Sequence, residues 1–360
     1  MERVNVDLKQ ETDDSYDILI GHGLADSLAA ELRNNPIANS YAIIADSNVA
    51  NIYGKKLLDG FRKESLRAHL IKFPAGEKNK SRDSKEKIEN EMISLGFRRD
   101  ACIIALGGGV TGDLAGFTAA TYMRGIPYMQ VPTTLLAMVD SSIGGKTAVD
   151  AKGAKNAIGA FHQPKKVIMD LNLLSTLPKK ELANAMAELV KHALIRDKDF
   201  FHFLEKNMGK IFELDSKILQ YAVKRSCEIK TQVVIQDEKE NGMRKILNYG
   251  HTIGHAIESA LRYRISHGDA ISIGMSCAAK LSSSLGFLDE GSAIRQNNLL
   301  EHAGLAHRLS HHKLKPKKIL EHMQYDKKIM NGKMNFILLN SIGDAFISDE
   351  VSLEEIRKLF

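Results

Sequence analysis

The feature that most restricts the fold is a change of rhythm near residue 178. Before it, short apolar, β-branched runs alternate with stretches of helical period. The runs are YAIIAD (41–46), AHLIKF (68–73), ACIIAL (101–106), YMQVP (128–132) and KVIMD (166–170). Helical patterns lie between them, around Tyr53 to Glu64 and from about Ser81 to Leu95. This alternation predicts a mostly parallel sheet with helices on both faces, since parallel strands need a crossover of helix length. From Pro178 onward the period is almost wholly helical until MNFILL (334–339). The expected architecture is a Rossmann-like α/β nucleotide-binding domain over 1–178 and an all-α domain over 179–360. A chain of 360 residues is too long for one small core and comfortable for two.

Composition removes several classes of function. No apolar run approaches the ~20 residues of a bilayer span, and the opening MERVNVDLKQETDD has no apolar stretch of the signal-peptide kind. Fifty Lys and Arg against 44 Asp and Glu leave +6, spread along the chain. With 6% aromatic residues and no Trp, there is neither a stacking platform nor a basic stripe for nucleic acid. The excess suits anionic small molecules instead. Cys102, Cys227 and Cys277 stand far apart without C-x-x-C spacing, which points to a reducing cytoplasm and buried thiols.

Two glycine-rich segments invite phosphate. Directly after ACIIAL come Gly107, Gly108, Gly109, Val110, Thr111, Gly112 and Asp113, satisfying G-x-G-x-x-G and opening an expected helix. Glycines there let the backbone approach a pyrophosphate, whose charge a helix N-terminus stabilises. The turn does not open the first βαβ unit, and no acidic residue follows at ribose distance. Asp46, ending YAIIAD, is the better ribose candidate. The second segment, Ile143 to Thr147, resembles the end of a Walker A loop but has Asp140 where that motif needs Gly. Lys146 remains a cation presented by a glycine pair.

The sharpest constellation runs from Arg244 to Glu258. On one continuous helix, Arg244, Asn248, His251, His255 and Glu258 form a polar stripe about 80° wide. His251 and His255 have the i, i+4 spacing that lets two imidazoles share a metal, and His267 could supply a third nitrogen. A carboxylate could come from Glu188, which shares a helix face with Lys191 and His192 in AMAELVKHALIRD. A His/His/Glu set with an open position is how catalytic zinc is held. His307, His311, His312 and the lysines from Lys313 to Lys318 read as a solvated basic loop.

Taken together, GGGVTGDLAGFTAATYMRG, QVPTTLLAMVDSSIGGKTAV, KNAIGAFHQP, STLP, AELVKHALI, DEKENGMRKILNYGHTIGHAIE and HGDAISIGM resemble the 3-dehydroquinate synthases, a branch of the sugar-phosphate cyclases. The likeness runs in order from about Asp46 to Gly343. It implies an NAD-binding domain, a helical domain with a divalent metal (zinc or cobalt) and a heptulosonate phosphate substrate bound between them. NAD would oxidise a ring hydroxyl transiently, phosphate would be eliminated, and the product would be reduced, opened and reclosed by an aldol step.

The resemblance also implies residue roles. It makes Glu188, His251 and His267 the metal ligands, where spacing alone pairs His251 with His255. His255 and Glu240 become proton-handling residues, with Lys146, Lys191 and Lys230 beside them in the catalytic set. Substrate contacts fall on Arg124, Asp140, Asn156, Arg244, Asn248 and one of Lys327 or Lys328. Arg124 would reach the site of a neighbouring subunit, implying a homodimer. NAD contacts fall on Asp46, Asn48, Glu77, Lys80, Gly109, Val110, Thr111, Gly112, Asp113, Thr133, Thr134, Lys146, Lys155 and Thr176. The chain departs from the family wording at Ala75, between Lys146 and Asn156, and at Asp269. A sister cyclase of inosose or valiolone type and a metal-dependent polyol dehydrogenase are the competing readings.

Overall fold

The computed structural model describes residues 5, 13–152, 154–240, 242–309, 316–325, 329–330, 333–349 and 351–359. Its first part comprises β1 (Asp17–Gly21), α1 (Leu24–Asn34), β2 (Ser40–Asp46), α2 (Ser47–Val49), α3 (Lys55–Lys63), β3 (Ala68–Phe73), α4 (Arg82–Ser94), β4 (Ala101–Gly107), α5 (Gly109–Thr121) and β5 (Tyr128–Pro132). An antiparallel ribbon of β6 (Lys146–Ala151) and β7 (Ala154–Phe161) follows, and β8 (Lys166–Asp170) returns to the sheet. Six strands pair in parallel in the order β1-β8-β5-β4-β2-β3. All five expected strand runs are present; β1 and the ribbon were not expected.

The central strands are apolar throughout because helices cover both faces. Along β2, Ala42 and Ile44 enter one core, and Tyr41, Ile43 and Ala45 enter the other. The chain steps from β2 outward to β3, then crosses back past β2 to β4 and continues toward β8. Connections therefore diverge between β2 and β4, and such a crevice at the carboxyl ends of parallel strands is where α/β sheets bind ligands. Asp46 ends β2 there, and the glycine turn ends β4. The glycine turn therefore opens on this crevice although it lies outside the first βαβ unit.

The second part is helical: α6 (Lys179–Arg196), α7 (Lys198–Phe212), α8 (Ser216–Gln236), α9 (His251–Ala260), α10 (His267–Ser284), α11 (Glu290–His302), α12 (Pro316–Tyr325) and α13 (Leu353–Arg357). Two short antiparallel ribbons are inserted, β9 (Ile329–Met330) with β10 (Lys333–Met334), and β11 (Phe336–Ser341) with β12 (Asp344–Ser348). One core joins the two parts: Met138, Val139 and Met169 pack with Leu189, Val223 and Met275. Among the described residues, no helix is long and apolar enough to cross a membrane.

The continuous helix expected from Arg244 to Glu258 is not formed. Met243–Asn248 is a 3₁₀ turn, and α9 starts afresh at His251 after Gly250, whose φ is 79°. The break follows from close packing of α9 on α10. A Cβ on Gly274 of α10 would sit 1.9 Å from the Gly250 carbonyl oxygen. Arg244 and Asn248 consequently reach the site from a loop.

Gly274→Ala must push the two helices apart, at about 3 kcal/mol. Gly209→Ala, in α7 with open space around the added methyl, should instead gain up to about 1 kcal/mol. Urea unfolding of the two variants should show opposite signs, and a wild-type midpoint for Gly274→Ala would contradict this packing.

Candidate active site

Glu188 lies in the middle of α6 with 0% exposure. Its neighbours are Lys191, one turn on and 2% exposed, and the first residues of two other helices, His251 and His267. Glu188 Oε1 is 3.6 Å from His251 Nε2 and 3.4 Å from His267 Nε2. One ligand atom from each of the three lies within 4.8 Å of the others. A second such group is His255, Glu258 and His267, and a third is Asp140, Glu188 and His192.

The protein arranges the first group as metal ligands are arranged. Glu188 Oε2 is paired with Lys191, and Oε1, buried without a directed hydrogen bond, faces the two imidazoles. His251 Nδ1 lies 3.1 Å from the Tyr249 carbonyl, which can only accept, so Nδ1–H donates and Nε2 turns its lone pair toward Glu188. His267 Nδ1 faces Glu258 at 3.5 Å, a carboxylate backing of the kind that fixes a ligating imidazole. Burial above all, with Lys191 beside it, holds the His251 pKa well below its ordinary value. Burial opposes ionisation of Glu188, yet Lys191 and the imidazoles hold its pKa well below the carboxylate range. Burial likewise opposes a charge on His267, but Glu188 and Glu258 raise it to about 10. These donors fit a divalent metal such as zinc.

Of the candidate substrate residues, Lys191 touches this group and Lys230 reaches it through Asp140. Lys230 of α8 donates to Asp140, at 2.5 Å from Oδ1 and 2.6 Å from the backbone oxygen. Lys146, presented by Gly144 and Gly145 at φ 97° and 65°, pairs with Glu240, which also accepts from Asn248 Nδ2 at 2.7 Å. Glu240 resists burial through these partners, and its pKa falls below the ordinary value. Arg244 is buried, donating to the Glu238 carbonyl and, at 3.3 Å, to that of Gly144. His255 is exposed, its ring centroid 5.1 Å from that of His251. Arg124 is exposed in a turn after α5. Lys327 and Lys328 lie outside the described residues.

The cofactor candidates gather along the β2–β4 crevice and the ribbon. Gly109, Val110, Thr111, Gly112 and Asp113 form the start of α5, where Thr111 Oγ1 is buried without a partner. This open turn fits a pyrophosphate. Lys80, 4% exposed, pairs with Asp113 and donates to Asn156 Oδ1; even so, burial pushes the Asp113 carboxyl up to about 6. Asp46 spends Oδ1 on its own helix, accepting from the backbone of Asn48 and Val49. Asn48 and Glu77 are exposed, and Lys155 lies 3.6 Å from Glu77. The Thr133 amide donates to the Gly107 carbonyl, Thr134 Oγ1 accepts from Ala137, and Thr176 Oγ1 is 2.6 Å from the Tyr53 hydroxyl.

Sequence reasoning missed Tyr16, whose hydroxyl accepts from the Gly144 amide at 3.1 Å, and Gln163, which donates to Glu238 at 2.7 Å. Nothing local marks either; both act on loops distant in sequence.

Models described as the N-terminal and C-terminal parts of 3-dehydroquinate synthase match residues 70–184 and 185–329. The chain belongs to the 3-dehydroquinate synthase family. It is 44% identical to the 3-dehydroquinate synthase of Thermodesulfovibrio yellowstonii, over 100% of this chain and 99% of that one. Against the enzyme of Thermoanaerobacter pseudethanolicus the identity is 42%, over the same shares. Among solved structures, 2-epi-5-epi-valiolone synthase from Streptomyces hygroscopicus with NAD+ and Zn2+ bound superposes with a TM-score of 0.89 at 26% identity, covering 99% and 98% of the two chains. A 2-deoxy-scyllo-inosose synthase with carbaglucose-6-phosphate, NAD+ and Co2+ gives 0.85 at 29%, covering 96% of each.

Removing Lys191 leaves the Glu188 charge buried with less compensation. Lys191→Ala should therefore destabilise the chelator-treated protein by about 3–5 kcal/mol. Added zinc should shrink the deficit by neutralising the carboxylate. Urea unfolding with chelator and with zinc measures both, and an equal deficit in each would contradict the site.

Proposed function

We propose that the chain is a 3-dehydroquinate synthase of the shikimate route to chorismate and aromatic amino acids. Its substrate is then 3-deoxy-D-arabino-heptulosonate 7-phosphate, and its products are 3-dehydroquinate and phosphate, which makes it a carbon–oxygen lyase. The observation that carries this is one cluster around the buried Glu188: His251 and His267 share it with Lys191 and Asp140, and Lys230 is paired with Asp140. A polyol dehydrogenase needs the ligands but not the matched cations. Identity of 42–44% over the whole chain to dehydroquinate synthases, against 26–29% to the sister cyclases, favours the dehydroquinate branch.

When bound, NAD supplies a hydride acceptor that returns the hydride, and a divalent metal at Glu188, His251 and His267 supplies Lewis-acid polarisation of substrate oxygens. The chain's own residues bind and orient. A carboxylate and a phosphate on one substrate require cations at both ends, and Lys146, Lys230 and Arg244 provide them. Asp140, held by Lys230, and Asn248 are acceptor and donor for hydroxyls. Oxidation of one ring hydroxyl acidifies the neighbouring C–H, and loss of that proton expels phosphate. The substrate phosphate can take this proton itself, so no carboxylate need be reserved for it. After re-reduction, ring opening and aldol closure need groups that exchange protons at the site's edge. His255, exposed beside His251, and Glu240, kept ionised by Lys146, occupy such positions.

We read 1–178 as the NAD-binding domain and 179–360 as the metal-binding domain. Arg124 we assign to the neighbouring protomer's site, making the working unit a homodimer. Three unpaired cysteines, two of them buried, support a cytoplasmic setting.

Purified protein given the heptulosonate phosphate, catalytic NAD and zinc or cobalt should release stoichiometric phosphate with no net NADH absorbance, and chelation should stop it. Accumulating NADH would indicate a dehydrogenase. Phosphate released only from another sugar phosphate would indicate a sister cyclase.

A further inference from the structure

His192 is a buried ionisable group that the proposed chemistry leaves unused. It lies one turn beyond Glu188 on α6, on the same face, with 0% exposure. Its Nδ1 is 2.7 Å from the hydroxyl of Ser226, itself fully buried on α8. Its Nε2 has no hydrogen-bond partner. Leaving a buried polar atom unpaired costs about 1–3 kcal/mol, and an apolar residue of similar shape would avoid that cost. A ring nitrogen of His192 lies within 4.8 Å of a carboxylate oxygen of both Asp140 and Glu188. The other charged groups acting on the ring are Lys191 from its own helix and Lys230 from α8. Two carboxylates and two ammonium groups therefore surround one imidazole.

We infer that His192 is a positioning residue for the metal-binding carboxylate. The carboxylates near the ring can only accept, so the ring proton is assigned to Nε2, the nitrogen left without a partner, and Nδ1 then accepts from the Ser226 hydroxyl, which can donate as readily as accept. Burial keeps the ring neutral, with a pKa of about 3, so it contributes a donor without adding a third cation. At this range the donor acts as a local dipole or through one bridging water. Its effect is to hold Glu188 ionised and oriented, with the remaining lone pairs toward His251 and His267. Lys191 alone cannot do this, because an ammonium on a flexible stem fixes charge rather than direction.

The inference rests on the metal site proposed above, and zinc affinity separates the two. It is measured on the folded, full-length protein by competition with a chromophoric chelator, with NAD affinity and the unfolding midpoint as checks on the fold. In His192→Asn the amide reaches Ser226 but leaves no donor at the Nε2 position. Zinc should then bind about 10–100-fold more weakly, the usual cost of losing a group behind a ligand. In His192→Gln the amide nitrogen reaches the Nε2 position, and affinity should stay close to wild type. Ser226→Ala, which frees the tautomer, should weaken zinc measurably while retaining NAD binding. A role in packing alone predicts the same zinc affinity in every folded variant, and that result overturns the inference. So does His192→Gln binding as weakly as His192→Asn. If His192→Asn does not fold, Ser226→Ala decides, and unchanged zinc affinity there overturns it. A wild-type protein that binds no zinc removes the metal site itself.

Discussion

The structure turns on a carboxylate that has lost all contact with water. Burying an ion such as Glu188 costs several kcal/mol even after relaxation, and the surroundings must offset it. Lys191 does so from one turn away. His251 and His267 do so from the starts of α9, which begins after the left-handed Gly250, and α10, which Ser266 caps. The Gly250 break and the bare surface of Gly274 let α9 and α10 approach closely enough to bring the two imidazoles to one carboxylate. Charge, helix packing and ligand geometry are here a single constraint.

The same constraint ties the two parts of the chain together. Asp140 comes from the turn after β5, and it is held by Lys230 of the helical part. Lys146 stands on the ribbon and pairs with Glu240 from the loop after α8. The ribbon itself is anchored toward the glycine turn, since Lys80 joins Asp113 of α5 to Asn156. The glycine turn is therefore linked to the ribbon, and the ribbon to the loop before α9, by short polar contacts. A reaction that oxidises, eliminates and reduces at one carbon skeleton needs such an arrangement, because a misplacement of about 1 Å can cost a hundredfold in rate.

Much of the fold was legible in the residues because buried parallel strands are written as uninterrupted apolar runs. YAIIAD and ACIIAL are covered on both faces and show it. DILIG, the edge strand β1, is only partly buried and ends in glycine, so it carries no such signature. The ribbon strands KTAVDA and AKNAIGAF mix small, charged and apolar residues without a clear period, and β7 is mostly exposed, so neither strand shows in the sequence. From Arg244 to Glu258 a 3.6-residue pattern passes straight through a left-handed glycine, so the break at Gly250 leaves no mark in the polar stripe. The metal group shows the same limit. Spacing finds His251 and His255, which are neighbours on one helix. His267 joins Glu188 only through the packing of α10 on α6, where Gly268 lies against Asn184, a contact that no spacing within one helix reveals.

The central claim is that Glu188, His251 and His267, rather than the neighbouring set of His255, Glu258 and His267, hold the metal. Anomalous diffraction at the zinc edge, from crystals grown with zinc, locates the ion directly. The account predicts one strong peak about 2.0–2.2 Å from a Glu188 oxygen and from Nε2 of both His251 and His267. A peak bounded by His255 and Glu258, or no interior peak at all, would contradict it.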